Sequence, residues 1–246
     1  MFDKLAEVGA VERAKKAFEA NGFAVRVAAT GAEAKETIAE LIPAGAEVMT
    51  MTSVTLDTLG VAKDLNESGR YGSVRAKYLA PDSKAEAGEK RRRAAAPDYV
   101  IGSVHAVTED GKVLIASNTG SQLPAYVYGA AHVVWVVGTQ KLVKNVDEGM
   151  KRIYEYVLPL ESERAHKAYG VPGSFVSKLL IVNKEVQPGR VHHLRSGKAW
   201  FLRTNDEVAF PLSRRVSAHS LRCVGLGGHK PGLLVARPAD ITSHHR

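Results

Sequence analysis

Apolar residues recur at helical spacing from the start of the chain. In "FDKLAEVGAVERAKKAFEANG" Leu5, Val8, Val11, Ala14 and Phe18 share one stripe, and Asn21-Gly22 supplies a C-terminal stop. "FAVRVAA" then predicts a strand, and "GAEAKETIAELI" a second helix halted by Pro43. "AEVMTM" predicts a short buried strand and "TSVTLDTLG" the opening of another helix. Beyond a looser region, "SKAEAGEKRRRAA" is helical, "DYVIGSVHAVT" and "KVLIASN" are strands, and "SQLPAYVYGA" is helical. "AHVVWVVG" is apolar without alternation, the pattern of a strand covered on both faces. "NVDEGMKRIYEYVLPLESERAHKAYG" predicts a helix broken near Pro159, and "KLLIVNKEV" a further strand. Strands separated by helices of this length need crossover connections. The pattern therefore predicts an α/β fold with a largely parallel sheet between helices.

The stretch "SVHAVTEDGKVLIASNTGSQLPAYVYGA", residues 103–130, carries most of the candidate chemistry. Asp110-Gly111 between two β-rich runs is a hairpin signal, so both residues are accounted for by a turn. Glu109 is not required by turn geometry and is a candidate base or nucleophile. After the second strand, Asn118, Thr119 and Ser121 can cap a helix, Gly120 permits close backbone approach, and Pro124 suits a first helical turn. A helix start at the carboxyl edge of a sheet suits a carboxylate or phosphate. "MTMTSVTLDTLG" repeats the arrangement, with Ser53 and Thr55 as a second wall of the same edge. Lys141 follows the most apolar strand and joins the binding set, although a solvated lysine is the ordinary reading there. His105 and His132 read as satisfied strand histidines, and Tyr126 and Tyr128 as packing residues.

The chain lacks a dinucleotide or Walker phosphate fingerprint, which points to a small anionic ligand rather than a nucleotide held by those loops. Paired Cys/His spacing is absent, so the sequence supports no metal site. One cysteine, Cys223, cannot alone ligate an iron–sulfur cluster, so any redox centre is expected on a partner. The chain is read as cytoplasmic: no apolar run reaches membrane-spanning length, and acids appear near the N-terminus. The net charge of +8 suggests nucleic acid until it is located. Residues 193–246 hold nine Lys/Arg and three Asp/Glu, leaving 25 of the 34 bases and 23 of the 26 acids in a nearly neutral body. Specific nucleic-acid recognition is therefore not expected.

The segments "TEDG…NTG" and "VGTQKLVK", with "GVPGSFVSKLLIVNKEVQPGRV" after them, resemble the lactate-utilization (LUD) domain family over about residues 10–192. The family includes the C subunit of a bacterial lactate oxidation system. The resemblance implies a Rossmann-like sheet similar to the sugar-phosphate isomerase and CoA-transferase fold. It also implies a role in oxidising L-lactate to pyruvate beside iron–sulfur partner proteins. The alternative is a stand-alone isomerase- or transferase-type enzyme acting on a small phosphorylated or CoA-linked anion, with Glu109 as base or nucleophile.

Two regions follow: a LUD-like α/β domain at 1–192 and an atypical basic tail at 193–246. The tail has scattered Arg, His, Gly and Pro without periodicity. It reads either as a disordered segment or as the product of a frameshift. Back-translated from His193 and shifted by one nucleotide, degenerate codons permit "IFVREKLGF" followed by a stop at Leu202-Arg203. Such an alternating apolar run resembles the family's last strand.

Overall fold

The computed structural model describes residues 2–196, with side chains described through residue 192. Ten strands and eight α-helices alternate along these residues. Helix α1 (Val8–Ala20) buries Val11, Ala14 and Phe18, as the stripe requires, whereas Val8 and Leu5 at its entry stay exposed. Strand β1 (Ala24–Ala28) leads to α2 (Gly31–Leu41), which Thr30 caps by accepting the Glu33 N–H at 3.1 Å. Strand β2 (Glu47–Thr50) is followed by α3 (Val54–Thr58) and α4 (Val61–Glu67). The looser region then holds β3 (Gly72–Ser73) and α5 (Val74–Tyr78), and the helix expected beyond it is α6 (Ala87–Ala95).

The run expected as one strand at 98–108 is two. Strand β4 (Tyr99–Gly102) and β5 (Ala106–Thr108) belong to different sheets, and the chain turns between them at Ser103–His105. Strand β5 forms the expected hairpin with β6 (Val113–Ser117), with Gly111 at φ +82°. The helix expected at 121–130 forms as a short π-helix, Ala125–Gly129, wider than an α-helix. Strand β7 (His132–Gly138) and the short β8 (Leu142–Val143) come next.

Helix α7 (Val146–Arg152) runs into α8 (Leu158–Tyr169) through a widened turn at Ile153–Val157. Pro159 has no N–H to give to the preceding turn. Widening the turn ahead of it accommodates the proline without the expected break. Strands β9 (Lys178–Val182) and β10 (Val191–Ser196) complete the described chain. From residue 197 onward the expected tail lies outside the described residues.

Six strands pair in parallel in the order β1-β10-β7-β4-β2-β3, and helices flank them. A smaller mixed sheet, β8-β5-β6-β9, was not foreseen from the sequence. Strand β7 explains its own lack of alternation: Val133, Trp135 and Val137 pack with Phe18 and Phe23 on one face, while Val134 and Val136 pack with Ile38, Leu56 and Leu65 on the other. Each fully buried aliphatic side chain contributes about 1.5–3 kcal/mol, so this strand anchors both layers. A third cluster, built on Leu114 and Ile153, joins the small sheet to α7 and the widened turn. Among the described residues no helix is long and apolar enough to cross a membrane.

Candidate functional site

Because the large sheet is parallel, the ends of β2, β4 and β7 lie on one edge. Strand β2 has β3 on one side and β4 on the other, so the order departs in two directions there. Crevices at such switch points are where open α/β sheets hold ligands. Ser103 follows β4 directly and donates its hydroxyl hydrogen to the Val136 carbonyl of β7 at 2.7 Å. Its lone pairs then face Lys141, whose Nζ donates to Ser103 Oγ at 2.8 Å and to Thr55 Oγ1 of α3 at 3.2 Å. The lysine stem keeps partial exposure while the terminal nitrogen is enclosed.

Enclosure favours the neutral amine. Burial, and then the neighbouring Arg152 charge, push Lys141 down from 10.5 to about 7. Arg152 is itself only 2% exposed and projects from α7 into the interior. It donates through Nη1 to the His105 carbonyl at 2.9 Å and through Nε to the Gln140 carbonyl at 3.4 Å, and burial lowers it to about 10. Arg75 of α5 donates to the Thr50 carbonyl at 2.8 Å where β2 ends, and burial lowers it too, against the opposing pull of Asp57. None of Lys141, Arg152 and Arg75 forms an ion pair among the described residues. Arg152, held by two carbonyls and lying over the Tyr156 ring at 5.1 Å, leaves positive charge for a ligand to neutralise.

His105 sits beside this group. Burial first, then the Lys141 and Arg152 charges, depress it to about 4, so the ring is neutral at physiological pH. Its Nδ1 accepts the Ala116 N–H at 3.1 Å, which fixes the hydrogen of the neutral ring on Nε2. It is a satisfied histidine, as expected from the sequence, but it lies in the turn between β4 and β5 rather than in a strand.

The structure brings together only part of the predicted set. Thr55 and Lys141 meet. Ser53 caps α3, accepting the Leu56 N–H at 3.4 Å. Glu109 faces α1, where Arg13 holds its carboxylate at 2.9 Å, and it makes no bond to the Lys141 group. Asn118 accepts from Ser177 at 3.2 Å through its side chain and from Lys178 at 3.4 Å through its carbonyl. Thr119 accepts the Ser121 N–H at 3.3 Å, and Gly120, at φ +85°, donates to Ser117 Oγ at 2.8 Å. This loop is braced against β9, and the helix after it is short and wide. Its link to the Lys141 group runs through β6, where Ala116 binds His105.

Three members were missed. Ser103 opens the very stretch singled out, directly after a strand, and strand-end position was the signal. Arg152 falls three residues after buried Gly149 and just before buried Ile153, so helical periodicity places it on the inner face. Arg75 lies in the region that showed no clear pattern. Among the described residues no three His, Cys, Asp or Glu side chains come together as a metal site.

Fold and edge together define a Rossmann-like α/β protein with buried basic side chains at its strand switch point. The family model described as LUD domain matches residues 11–178. The chain belongs to the LUD domain family, which is associated with lactate utilization. Among solved structures, a DUF162 family protein from Deinococcus radiodurans is similar at 13% identity and a TM-score of 0.50, over 79% of this chain and 100% of that one. The β subunit of eIF2B from Chaetomium thermophilum is similar at 12% identity and a TM-score of 0.33, over 47% of this chain and 43% of that one. No curated protein matches the chain.

Proposed function

We propose that this chain is a cytoplasmic component of L-lactate utilization that holds a small carboxylate in the Lys141 crevice. The oxidation itself removes two electrons and two protons from L-lactate to give pyruvate. The electrons pass to iron–sulfur partner proteins, since the chain's one cysteine cannot hold a cluster. The observation that carries the reading is the buried Arg152 guanidinium, a cation without an acidic partner among the described residues, beside the Lys141 amine at the carboxyl edge of a LUD-family sheet. A monocarboxylate would neutralise that charge and accept the hydrogen bonds left open. The isomerase- or transferase-type alternative places its base at Glu109, which pairs with Arg13 and makes no bond to the Lys141 group, so a single site that uses both is not favoured.

The test has a cellular and a molecular arm. A strain lacking the gene is expected to lose growth on L-lactate and regain it when the gene is restored. Calorimetry with the purified full chain is expected to show binding of L-lactate or pyruvate that Lys141→Ala weakens at least tenfold, the loss of one charge-assisted contact. A deletion strain that grows normally on L-lactate would sink the pathway assignment. Unchanged affinity in the variant would remove the crevice from the site.

A further inference from the structure

The hydrogen-bond count around Lys141 goes beyond charge. An ammonium has three hydrogens to donate, whereas a neutral amine has two hydrogens and one lone pair. Two acceptors are present, the hydroxyls of Ser103 at 2.8 Å and Thr55 at 3.2 Å. Ser103 cannot reverse its role, because its single hydrogen already goes to the Val136 carbonyl. With both hydroxyls accepting, the two hydrogens of a neutral amine are satisfied and its lone pair is left unused. Beside it, Nη2 of Arg152 makes no hydrogen bond among the described residues, since that guanidinium bonds through Nε and Nη1.

We propose that Lys141 is a nucleophile that forms a reversible imine with a 2-oxo acid, whose carboxylate is held by Arg152. The proposal rests on the reading that the crevice takes small carboxylates. The amine lone pair adds to the ketone carbon, giving a carbinolamine. The carbonyl oxygen then leaves as water with the two hydrogens that the nitrogen gives up. One C=O is exchanged for one C=N, one water is released, and no oxidant or reductant is required. A 2-hydroxy acid has no carbonyl and can occupy the same place only non-covalently. The crevice therefore distinguishes the oxidised from the reduced form of its ligand by chemistry rather than by shape.

The full chain is incubated with pyruvate and cyanoborohydride at neutral pH, and the product is mapped by peptide mass spectrometry. Trapping should place one N-(1-carboxyethyl) group on Lys141. An ordinary lysine near pKa 10.4 has a neutral fraction roughly a thousandfold smaller at pH 7 than one near 7, so Lys141 should label before the surface lysines. Excess L-lactate should slow the labelling, and Lys141→Arg should lack it. Because the wild-type peptide map reports the site directly, the result does not depend on how the variant folds. Label spread over surface lysines with Lys141 unmodified overturns the imine. Calorimetry separates the two failures: pyruvate binding without a Lys141 adduct overturns the imine and leaves the proposed function standing, whereas no binding of pyruvate or L-lactate overturns both.

Discussion

Replacing Lys141 by methionine should make the protein more stable at neutral pH, by an amount that the site's electrostatics set. Methionine matches the length of the lysine stem and removes the amine. In the unfolded chain the amine titrates near 10.5, and in the fold at about 7, because burial and the Arg152 charge disfavour the ammonium. At about 1.36 kcal/mol per pH unit, holding this group costs the wild type about 4–5 kcal/mol at and below neutral pH. Losing the bonds to Ser103 and Thr55 takes back about 1–3 kcal/mol. The variant should therefore be more stable by roughly 2–4 kcal/mol at pH 6. The unfolded state binds the extra proton, so wild-type stability rises with pH between about 7 and 10.5 and the advantage of the variant shrinks. Between pH 6 and 9.5 the gap should close by roughly 3 kcal/mol. The groups facing the amine are Arg152 from α7, the neutral His105 ring, and the Thr55 and Ser103 hydroxyls, and none of them titrates strongly in that window. Urea denaturation of both proteins across this range measures the gap. A flat difference, or a variant less stable than wild type at pH 6, refutes a neutral buried amine.

Three further outcomes test the frame around the site. Gly111→Ala places a side chain at φ +82° and a Cβ 2.7 Å from the Ala17 carbonyl carbon of α1, and should cost about 2–4 kcal/mol in urea denaturation; a loss below about 1 kcal/mol would show that the hairpin tip yields. Arg190 is 6% exposed and ties Glu185 at 2.8 Å to the carbonyls of Ala125, Tyr126 and Ala130, so Arg190→Ala should cost about 3–5 kcal/mol by stranding a buried carboxylate. Restoration of stability in the double variant with Glu185→Gln checks that cause. His105, depressed from 6.5 to about 4, should show flat imidazole NMR shifts between pH 5.5 and 8. Because the unfolded ring binds its proton first, that residue's contribution is intact above about pH 6.5 and is lost as pH falls toward 4. A midpoint near 6.5 would contradict its burial.

The layers were legible where period and burial coincide. The α1 stripe and the unbroken apolar run of β7 announced a two-faced sheet, and Asp110-Gly111 announced the hairpin. What escaped depended on tertiary context. Nothing in "DYVIGSVHAVT" marks the point where a strand leaves one sheet for another, since both halves are equally apolar. The Asn118–Ser121 loop carries the residues of a helix cap, yet β9, far along the chain, takes up its polar groups. Glu109 was chosen because the turn did not need it, and α1 supplied the reason in Arg13. Lys141 looks like any surface base in "QKLVKNVDEGMKRI", and Arg152 is marked there by helical spacing alone. Only the packing of α7 and of β4's end shows that these two are enclosed and the others are not.

The end of the domain sets sequence and position against each other. Strand β10 lies between β1 and β7, so an interior parallel strand is required there. Interior parallel strands are near-continuous apolar runs, as β7 is with its Val-Val-Trp-Val-Val core. From residue 193 the chain instead offers His-Leu-Arg-Ser to positions in register with Trp135, Val136, Val137 and Gly138. The reading frame shifted by one nucleotide would supply Ile, Phe and Val in place of His193, Leu194 and Arg195. Burying those three side chains at an interior strand position is worth about 1.5–3 kcal/mol each. A chain carrying "IFVREKLGF" after residue 192 should therefore unfold at clearly higher urea than the chain as it stands. It should also restore growth of the deletion strain on L-lactate more fully. The gene's codons give the first check: a nucleotide sequence that forbids this shifted reading or its stop removes the frameshift. Equal stability of the two chains would mean that the interior position tolerates the polar strand.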